Sequence, residues 1–440
     1  MSLLRKRTDS LSSASSSAAG PSSRSRQASI SSILGLATPF PVVELLPGRF
    51  YFTVAEGSFL AVNSEQHGGF SSRKPHVFTI DHELVYDPFA MDFGPLNLGM
   101  IHSYMEKVHS LIQGQRRPLV HYCSSEPRKR SNAVFLACAY LVIHCSVRPQ
   151  EAFSRIVNGG YTSFLPFRDA TSGPCSYKCT ILDCLEGLHR ARRIGWYVPS
   201  HFDKEQYQYY EKVENGDLNW IIPGKFLAFA GPHPNRHDAH GYLTLMPEDY
   251  YDVFKDLGVT LVIRLNKKSY DRSRFTEGGF AHADLYFPDG SCPPQNIINS
   301  FLSLCESAPG AIAVHCKAGL GRTGSLIGIY AMKHYGFPAR AWIGWNRICR
   351  PGSVLGPQQQ FLCDMERLVL RRASLDRSPS ETLKPLKIDV KLSQHEAKED
   401  TGQGERLTSA KKTGQLARRL SNSTSPINSS TIRGFFGRVL

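Results

Sequence analysis

The sequence lacks long hydrophobic runs. Its longest apolar stretch, residues 133–143, is far shorter than the roughly 20 residues that a membrane-spanning helix needs. The basic residues 5–7 are followed by serines instead of an apolar segment, so we expect no secretory signal. The 11 cysteines are odd in number and scattered over 440 residues, which favours reduced thiols over a disulfide framework. We therefore expect a soluble protein of the cytosol or nucleus.

Both ends of the chain have few aromatic residues and carry most of the net charge. Residues 1–36 contain 13 serines, no aromatic residue and a net charge of +4, whereas residues 371–440 contain two aromatics and a net charge of +7. Segments so poor in large apolar side chains cannot offset the entropy cost of ordering. We therefore predict disordered tails at 1–37 and 371–440. The intervening part is nearly neutral, which argues against a nucleic-acid partner.

Between the tails, short apolar runs alternate with helical patterns. This alternation predicts an α/β fold in which largely parallel sheets are flanked by helices. A strand, a loop containing histidine and an apolar helix occur twice, which predicts two tandem domains at 38–199 and 223–370, joined by a linker helix at 200–222. The clearest predicted strands are 119–122, 259–264 and 311–315, and the clearest helices are 131–144 and 322–335.

The segment from His315 to Gly324 has the composition of a phosphate-binding loop. It follows a strand and opens a helix, and its glycines permit a backbone tight enough for six peptide N–H groups to surround one tetrahedral anion. Cys316 lies at the base, where the helix N-terminus favours a nucleophilic thiolate. The planar guanidinium of Arg322 matches two phosphate oxygens, and Thr323 is expected to donate its hydroxyl to the sulfur. The predicted phosphate-binding residues are Lys317, Ala318, Gly319, Leu320, Gly321 and Arg322.

A thiolate that displaces an alkoxide from phosphorus needs a proton donor for the leaving oxygen. Asp289 is the candidate acid, although an Asp-Gly pair is also an ordinary turn. Asp284 is the second choice and has a more structural setting. Hydrolysis of the resulting phosphocysteine needs a group that orients water, for which we select Gln358, although a polar run at a helix N-terminus is the simpler interpretation. The purely structural alternative for residues 315–324 is a glycine turn beside a buried cysteine.

The sequence resembles a known family, the cell-division-cycle-fourteen dual-specificity phosphatases. The resemblance covers roughly residues 40–368 and excludes the tails. It implies two tandem dual-specificity-phosphatase folds, of which the C-terminal one is catalytic, with Cys316 as nucleophile, Arg322 as phosphate binder and Asp289 as general acid. The segments that carry it are 315–324, 347–353 (RICRPGS), 356–361 (GPQQQF), 164–169 (FLPFRD), 214–220 (ENGDLNW) and 264–268 (RLNKK).

The resemblance also implies a substrate and a role. The family favours phosphoserine followed by proline and opposes cyclin-dependent kinases in mitotic exit and cytokinesis, so the implied partners are phosphoproteins made by proline-directed kinases. It implies a nuclear and cytoplasmic location, with the nucleolus, spindle or spindle pole as further places. Glu211 and Glu214 in the linker are candidate acceptors for a basic residue of the peptide, although a solvated linker face explains them equally well. No cofactor and no metal are expected.

The N-terminal domain departs from the active pattern. His121 and Cys123 are separated by one residue, the arginine position is occupied by Lys129, and no glycine lies between Cys123 and Lys129. We therefore expect Cys123 to be non-catalytic. The resemblance implies that this domain forms one wall of the substrate groove.

Three rival functions are a phosphoinositide phosphatase, an RNA 5′-triphosphatase and a phosphopeptide-binding scaffold with an inactive site. Phosphoinositide phosphatases with a similar loop have a lysine where this chain has Leu320, which favours a protein substrate. The neutral core argues against RNA, and the complete catalytic set argues against an inactive scaffold. Kinases and import factors are candidate partners of the tails, where the candidate phosphorylation sites are Ser374, Ser378, Ser421 and Ser425.

Overall fold

The computed structural model describes residues 38–55, 75–114, 117–238, 241–375 and 402–422. Within these ranges no helix is both long and apolar enough to cross a membrane. The N-terminal tail predicted at 1–37 lies outside the described residues.

The first domain is a four-stranded sheet with helices packed on it. The sheet order is β1-β2-β4-β3, with β1 antiparallel to β2 and the other pairs parallel. The helix α2 (Pro127–His144) is buried along most of its length, because its own residues 133–143 are apolar on every face of the helix. The elements are β1 (Val43–Leu46), β2 (Phe50–Val54), β3 (His76–Phe78), α1 (Leu98–Gly114), β4 (Leu119–Cys123), α2 (Pro127–His144), α3 (Pro149–Asn158) and α4 (Ile181–Arg193).

The second domain repeats this plan and adds one strand. Its sheet order is β5-β6-β9-β7-β8, again with one antiparallel pair at the edge and parallel pairs elsewhere. The helix α9 is capped at its C-terminal end by Gly336, whose φ of 55° is left-handed. The elements are β5 (Leu218–Ile222), β6 (Phe226–Phe229), α6 (Tyr251–Asp256), β7 (Val259–Arg264), α7 (Ser273–Thr276), β8 (Ala281–Asp284), α8 (Gln295–Ser307), β9 (Ala311–His315), α9 (Gly321–Tyr335), α10 (Ala339–Cys349) and α11 (Pro357–Leu375).

The two domains pack through a close crossing of α4 and α10. A Cβ at Gly187 would lie 2.4 Å from the carbonyl oxygen of Ala341, so only glycine permits the helices to approach this closely. Arg340 pairs with Asp183 at 2.7 Å across the same crossing. The α/β prediction with two similar, mostly parallel sheets is confirmed.

The structure corrects the sequence prediction in two places. The predicted linker helix at 200–222 is only the short helix α5 (Lys204–Tyr210) followed by a 3-10 turn, because residues 218–222 form β5 of the second sheet. The predicted disordered tail at 371–440 contains the end of α11 and a further helix, α12 (Gln403–Asn422), which packs on the rest of the protein. The disorder prediction was wrong for these residues.

Candidate active site

The predicted phosphate-binding loop joins the end of β9 to the start of α9. Gly319 has a left-handed φ of 68°, and a Cβ there would lie 2.0 Å from the carbonyl oxygen of Phe229, so glycine is required. Within the described part of the chain, the peptide N–H groups of residues 317–322 donate no hydrogen bond. They are therefore available to an anion, and their binding of phosphate stays a prediction.

Arg350, which is fully buried, holds this loop from outside. Its guanidinium donates to the carbonyl oxygens of Gly319 and Ala318, each at 2.9 Å, and also to Asn219 Oδ1 at 2.7 Å. A further bond reaches the carbonyl oxygen of Asp217 at 2.8 Å. Because the loop carbonyls are engaged on the outside, the N–H groups can face inward. Arg350 stands in the segment 347–353 that carries the family resemblance, but its positioning role could not be predicted from the sequence.

His315 supports the loop from behind. Its Nδ1 lies 2.9 Å from the carbonyl oxygen of Cys316, which can only accept, so Nδ1 carries the proton. Its Nε2 then accepts from the hydroxyl of Tyr270 at 2.7 Å. Burial lowers the pKa of His315 to about 3, so the imidazole is neutral near pH 7. The histidine therefore positions the loop and is not a proton donor to substrate.

Cys316 and Arg322 lie together at the base of the loop, with only 3% and 1% of their surfaces exposed. The Nη1 of Arg322 donates to the carbonyl oxygen of Phe287 at 3.1 Å, which directs the guanidinium towards the loop that carries Asp289. The Nη2 of Arg322 lies 3.0 Å from Asp289 Oδ1. The structure thus places the predicted phosphate binder and the predicted acid side by side.

The alternative acid, Asp284, has a structural role. It ends β8 and pairs at 2.6 Å with Arg264, which is buried. Asp289, by contrast, lies in the loop after β8 and pairs with Arg322 of the phosphate-binding loop. This position beside the loop favours Asp289 as the acid that meets substrate.

Two other predicted residues lie at the site in unexpected settings. The hydroxyl of Thr323 is buried and has no hydrogen-bond partner among the described residues, so the expected bond to the Cys316 sulfur is not formed. Gln358 touches the loop, but its amide donates to the carbonyl oxygen of Ser291 at 3.0 Å, while its Oε1 accepts from the Leu355 N–H at 3.2 Å. A primary amide has two N–H groups and two oxygen lone pairs, so these two contacts leave capacity for a water molecule, and the water-positioning role stays a prediction.

The helix α12 lies across the mouth of the site. The N–H of Gly404 donates to Asp289 Oδ2 at 2.7 Å, and Glu405 pairs with Lys317 at 2.8 Å. Leu407 is 5% exposed and enters an apolar pocket beside the phosphate-binding loop. The pocket is formed by Phe89, Ala170, Ala318, Leu320 and Leu355.

Lys411 lies one helical turn beyond Leu407 and pairs with an acid. It pairs with Asp217, which is buried and also lies 2.9 Å from Arg350. The candidate acid Glu211 lies close by, where Asn97 donates to its oxygens at 3.0 Å, and burial raises its pKa. Glu214 lies instead on an exposed turn. Sequence reasoning missed Asp217, although it stands in the quoted segment 214–220.

Cys123 lies at the end of β4, fully buried in the core of the first domain. Burial raises the pKa of its thiol, which favours the unreactive form. Arg130 donates to the carbonyl oxygen of Ser163 at 3.3 Å. These observations agree with a non-catalytic Cys123. Among the described residues no cluster of His, Cys, Asp or Glu could hold a metal ion.

Comparisons with known proteins identify the family. Residues 44–191 match the family described as dual specificity protein phosphatase, N-terminal half, and residues 242–336 match a DSP-PTPase phosphatase of polymorphic toxin systems. The mouse dual specificity protein phosphatase CDC14A is 47% identical over 345 residues, which cover 74% of this chain and 57% of that protein. The human CDC14A is 50% identical over 311 residues, which cover 70% of this chain and 52% of that protein. The chain belongs to the CDC14 family.

A less similar relative matches the same share of the chain. The tyrosine-protein phosphatase cdc-14 of Caenorhabditis elegans is 40% identical over 334 residues, covering 74% of this chain and 46% of that protein. The chain thus spans about half the length of several CDC14 relatives. A crystal structure of Tk-PTP in the active form covers 35% of this chain and 97% of its own, with 20% identity and a TM-score of 0.29, and the family assignment does not rest on it.

Proposed function

We propose that this CDC14-family protein is a phosphoprotein phosphatase that works through a phosphocysteine. The observation that supports it best is that Asp289 lies beside Arg322 at the loop that carries Cys316 and the available amides of 317–322. Amide dipoles, a helix N-terminus and a guanidinium together stabilise a phosphoryl group and the charge that develops on it. Each residue then has one task in a two-step reaction.

In the first step the Cys316 thiolate attacks phosphorus, and the bond to the serine oxygen breaks. The leaving oxygen takes its proton from Asp289 in the carboxylic acid form, which avoids a free alkoxide. In the second step water attacks the phosphocysteine and gives its proton to the Asp289 carboxylate. Inorganic phosphate leaves, and the thiolate is regenerated. Arg322 and the loop amides hold the transferred phosphoryl group throughout.

The groove supports phosphoserine followed by proline as the substrate class. The apolar pocket that holds Leu407 begins at Ala318 and Leu320 of the phosphate-binding loop, so it lies beside the reacting group and suits a proline ring. Asp217, which pairs with Lys411, and Glu211 nearby suit a basic residue further along the peptide. Leu320 is buried in that pocket and offers no charge for inositol phosphates, which disfavours a phosphoinositide substrate.

Such a preference matches the sites that proline-directed kinases produce. We propose that the protein reverses cyclin-dependent-kinase phosphorylation during the cell cycle, in the nucleus and cytoplasm or at the spindle. Of the candidate kinase sites in the tail, Ser378 and Ser425 lie outside the described residues, whereas Ser421 lies in the last turn of α12.

The test is hydrolysis of matched phosphopeptides by the full-length protein in the presence of a metal chelator. One peptide carries phosphoserine-Pro with a lysine two residues after the proline. The others change either the proline or the lysine to alanine. We expect each change to lower kcat/KM by about tenfold, since each removes one filled subsite. Binding of peptide without release of phosphate by folded protein would support the scaffold alternative, and chelator-sensitive turnover would contradict the cysteine mechanism.

A further inference from the structure

The helix α12 occupies the groove as a bound chain would. From Gly404 at Asp289 it runs past the apolar pocket to Asp217, which pairs with Lys411 and lies near Glu211. Its side chains therefore show what each part of the groove accepts. If the proposed function is correct, the direction from the pocket to the acids is also the direction that a peptide follows after its phosphoserine.

Arg418 of α12 contacts the protein beyond the apolar pocket and Asp217. Arg418 Nε lies 2.7 Å from Asp87 Oδ2. The same guanidinium donates from Nη2 to the carbonyl oxygen of Val85. A carboxylate and a carbonyl thus accept side by side from one planar group, an arrangement that suits arginine better than lysine. Both acceptors belong to the N-terminal domain.

The loop that carries these acceptors is internally fixed. Asp92, which is buried, accepts from the hydroxyl of Tyr86 at 2.6 Å. Its other oxygen accepts from the N–H groups of Phe89 and Ala90 at 2.9 and 2.8 Å. Phe89 in turn lines the apolar pocket beside the active site. Asp87 and the Val85 carbonyl are therefore held in place relative to the catalytic loop.

Asp87 is also suited to a cation partner. Its side chain is 39% exposed, so it can be reached from solvent. Burial of the remainder raises its pKa, and the neighbouring Arg418 opposes that effect. A cation that binds here therefore compensates a carboxylate that has lost part of its hydration.

We propose that Asp87 and the Val85 carbonyl form an exosite that binds a second basic residue, preferably arginine, of a phosphoprotein substrate. Fourteen residues of helix separate Gly404 from Arg418, which corresponds to about 21 Å along the axis. An extended peptide covers that distance in about six residues. The exosite therefore selects substrates with an arginine about six residues after the phosphoserine, in addition to the basic residue held by Asp217.

The experiment compares phosphoserine-Pro peptides that share the first lysine and differ only at one distal position. A single arginine is placed five, six or seven residues after the phosphoserine, with alanine as the matched control. The ratio of kcat/KM for the arginine and alanine peptides is measured on the full-length wild type and on Asp87→Asn. We expect the best-placed arginine to raise kcat/KM by about threefold to fivefold on the wild type, and the ratio to fall to near one on Asp87→Asn.

Arg418→Ala is the second variant, because it removes the internal competitor. The arginine advantage should be larger on Arg418→Ala than on the wild type. Equal rates for arginine and alanine peptides on both the wild type and Arg418→Ala would overturn the exosite, and would mean that Asp87 only holds α12. Turnover of an aryl phosphate, measured in parallel, separates this failure from failure of the proposed function, in which neither the aryl phosphate nor any peptide is hydrolysed.

Discussion

The two domains carry the same strand, loop and helix but differ in what the loop can do. In the first sheet β2 begins at Phe50, which aligns with Leu119, and in the second β6 begins at Phe226, which aligns with Ile312. By this register Cys123 corresponds to Cys316, and Tyr122 corresponds to His315. The first domain therefore keeps a cysteine at the strand end but lacks the histidine that supports the catalytic loop.

The same comparison holds for the anion site. In the catalytic domain the loop amides remain available. In the first domain Glu126 accepts from the N–H groups of Arg128 and Lys129 at 3.0 and 2.8 Å, and Asp81 accepts from Ser124 N–H at 2.7 Å. These carboxylates occupy the helix N-terminus that a phosphate would use. One scaffold thus supports catalysis or structure, depending on a few residues at one strand end.

The largest expected effect separates the two cysteines. Cys316→Ser should lower turnover of an aryl phosphate by about 10⁴-fold or more, because the nucleophile is lost while phosphate binding remains. Cys123→Ser should leave turnover within about twofold of the wild type, since this thiol faces the core. Initial rates and phosphopeptide binding of both variants, with folding checked by circular dichroism, provide the measurement. A comparable loss of turnover in both folded variants would contradict the claim that only the second domain is catalytic.

A smaller effect is expected at the acid. Asp289→Asn should slow hydrolysis of esters with poor leaving groups by about 10²- to 10³-fold, and should have much less effect on good leaving groups, which need no proton. A series of aryl phosphates with graded leaving groups measures this dependence. Asp284→Asn is the matched control, since Asp284 pairs with Arg264. An equal loss across the series would remove Asp289 from the acid role.

The smallest effect concerns the first domain. Glu126→Ala should destabilise the protein by about 1 kcal/mol, because α2 loses the side chain that caps its N-terminus. Glu126→Gln keeps one acceptor oxygen and should lose less. The shift in Tm and the rate with an aryl phosphate are measured together. A fall in turnover at unchanged Tm would show that this loop takes part in catalysis after all.

The catalytic loop was predictable because its residues are contiguous and each has a chemical reason to be there. Asp289 could be selected once a thiolate reaction required an acid, and the likeness to CDC14 proteins supported the choice. Arg350 and Asp217 were missed because their roles depend on contacts between distant segments.

The helix α12 shows why composition misled at the C-terminal end. The segment is poor in large apolar residues, and Leu407 is its one buried hydrophobic side chain among those the structure describes. Ion pairs with Lys317, Asp217 and Asp87 hold the helix instead. Such pairs need a partner surface that no local sequence pattern reveals.

The most direct test of the central claim is to trap the covalent intermediate. The full-length protein is mixed with a good aryl phosphate substrate, quenched within milliseconds, digested, and analysed by mass spectrometry for phosphorylated cysteine. The proposed mechanism predicts phosphate on Cys316 and none on Cys123. Phosphate on Cys123, or steady turnover with no phosphocysteine formed at any time, would contradict it.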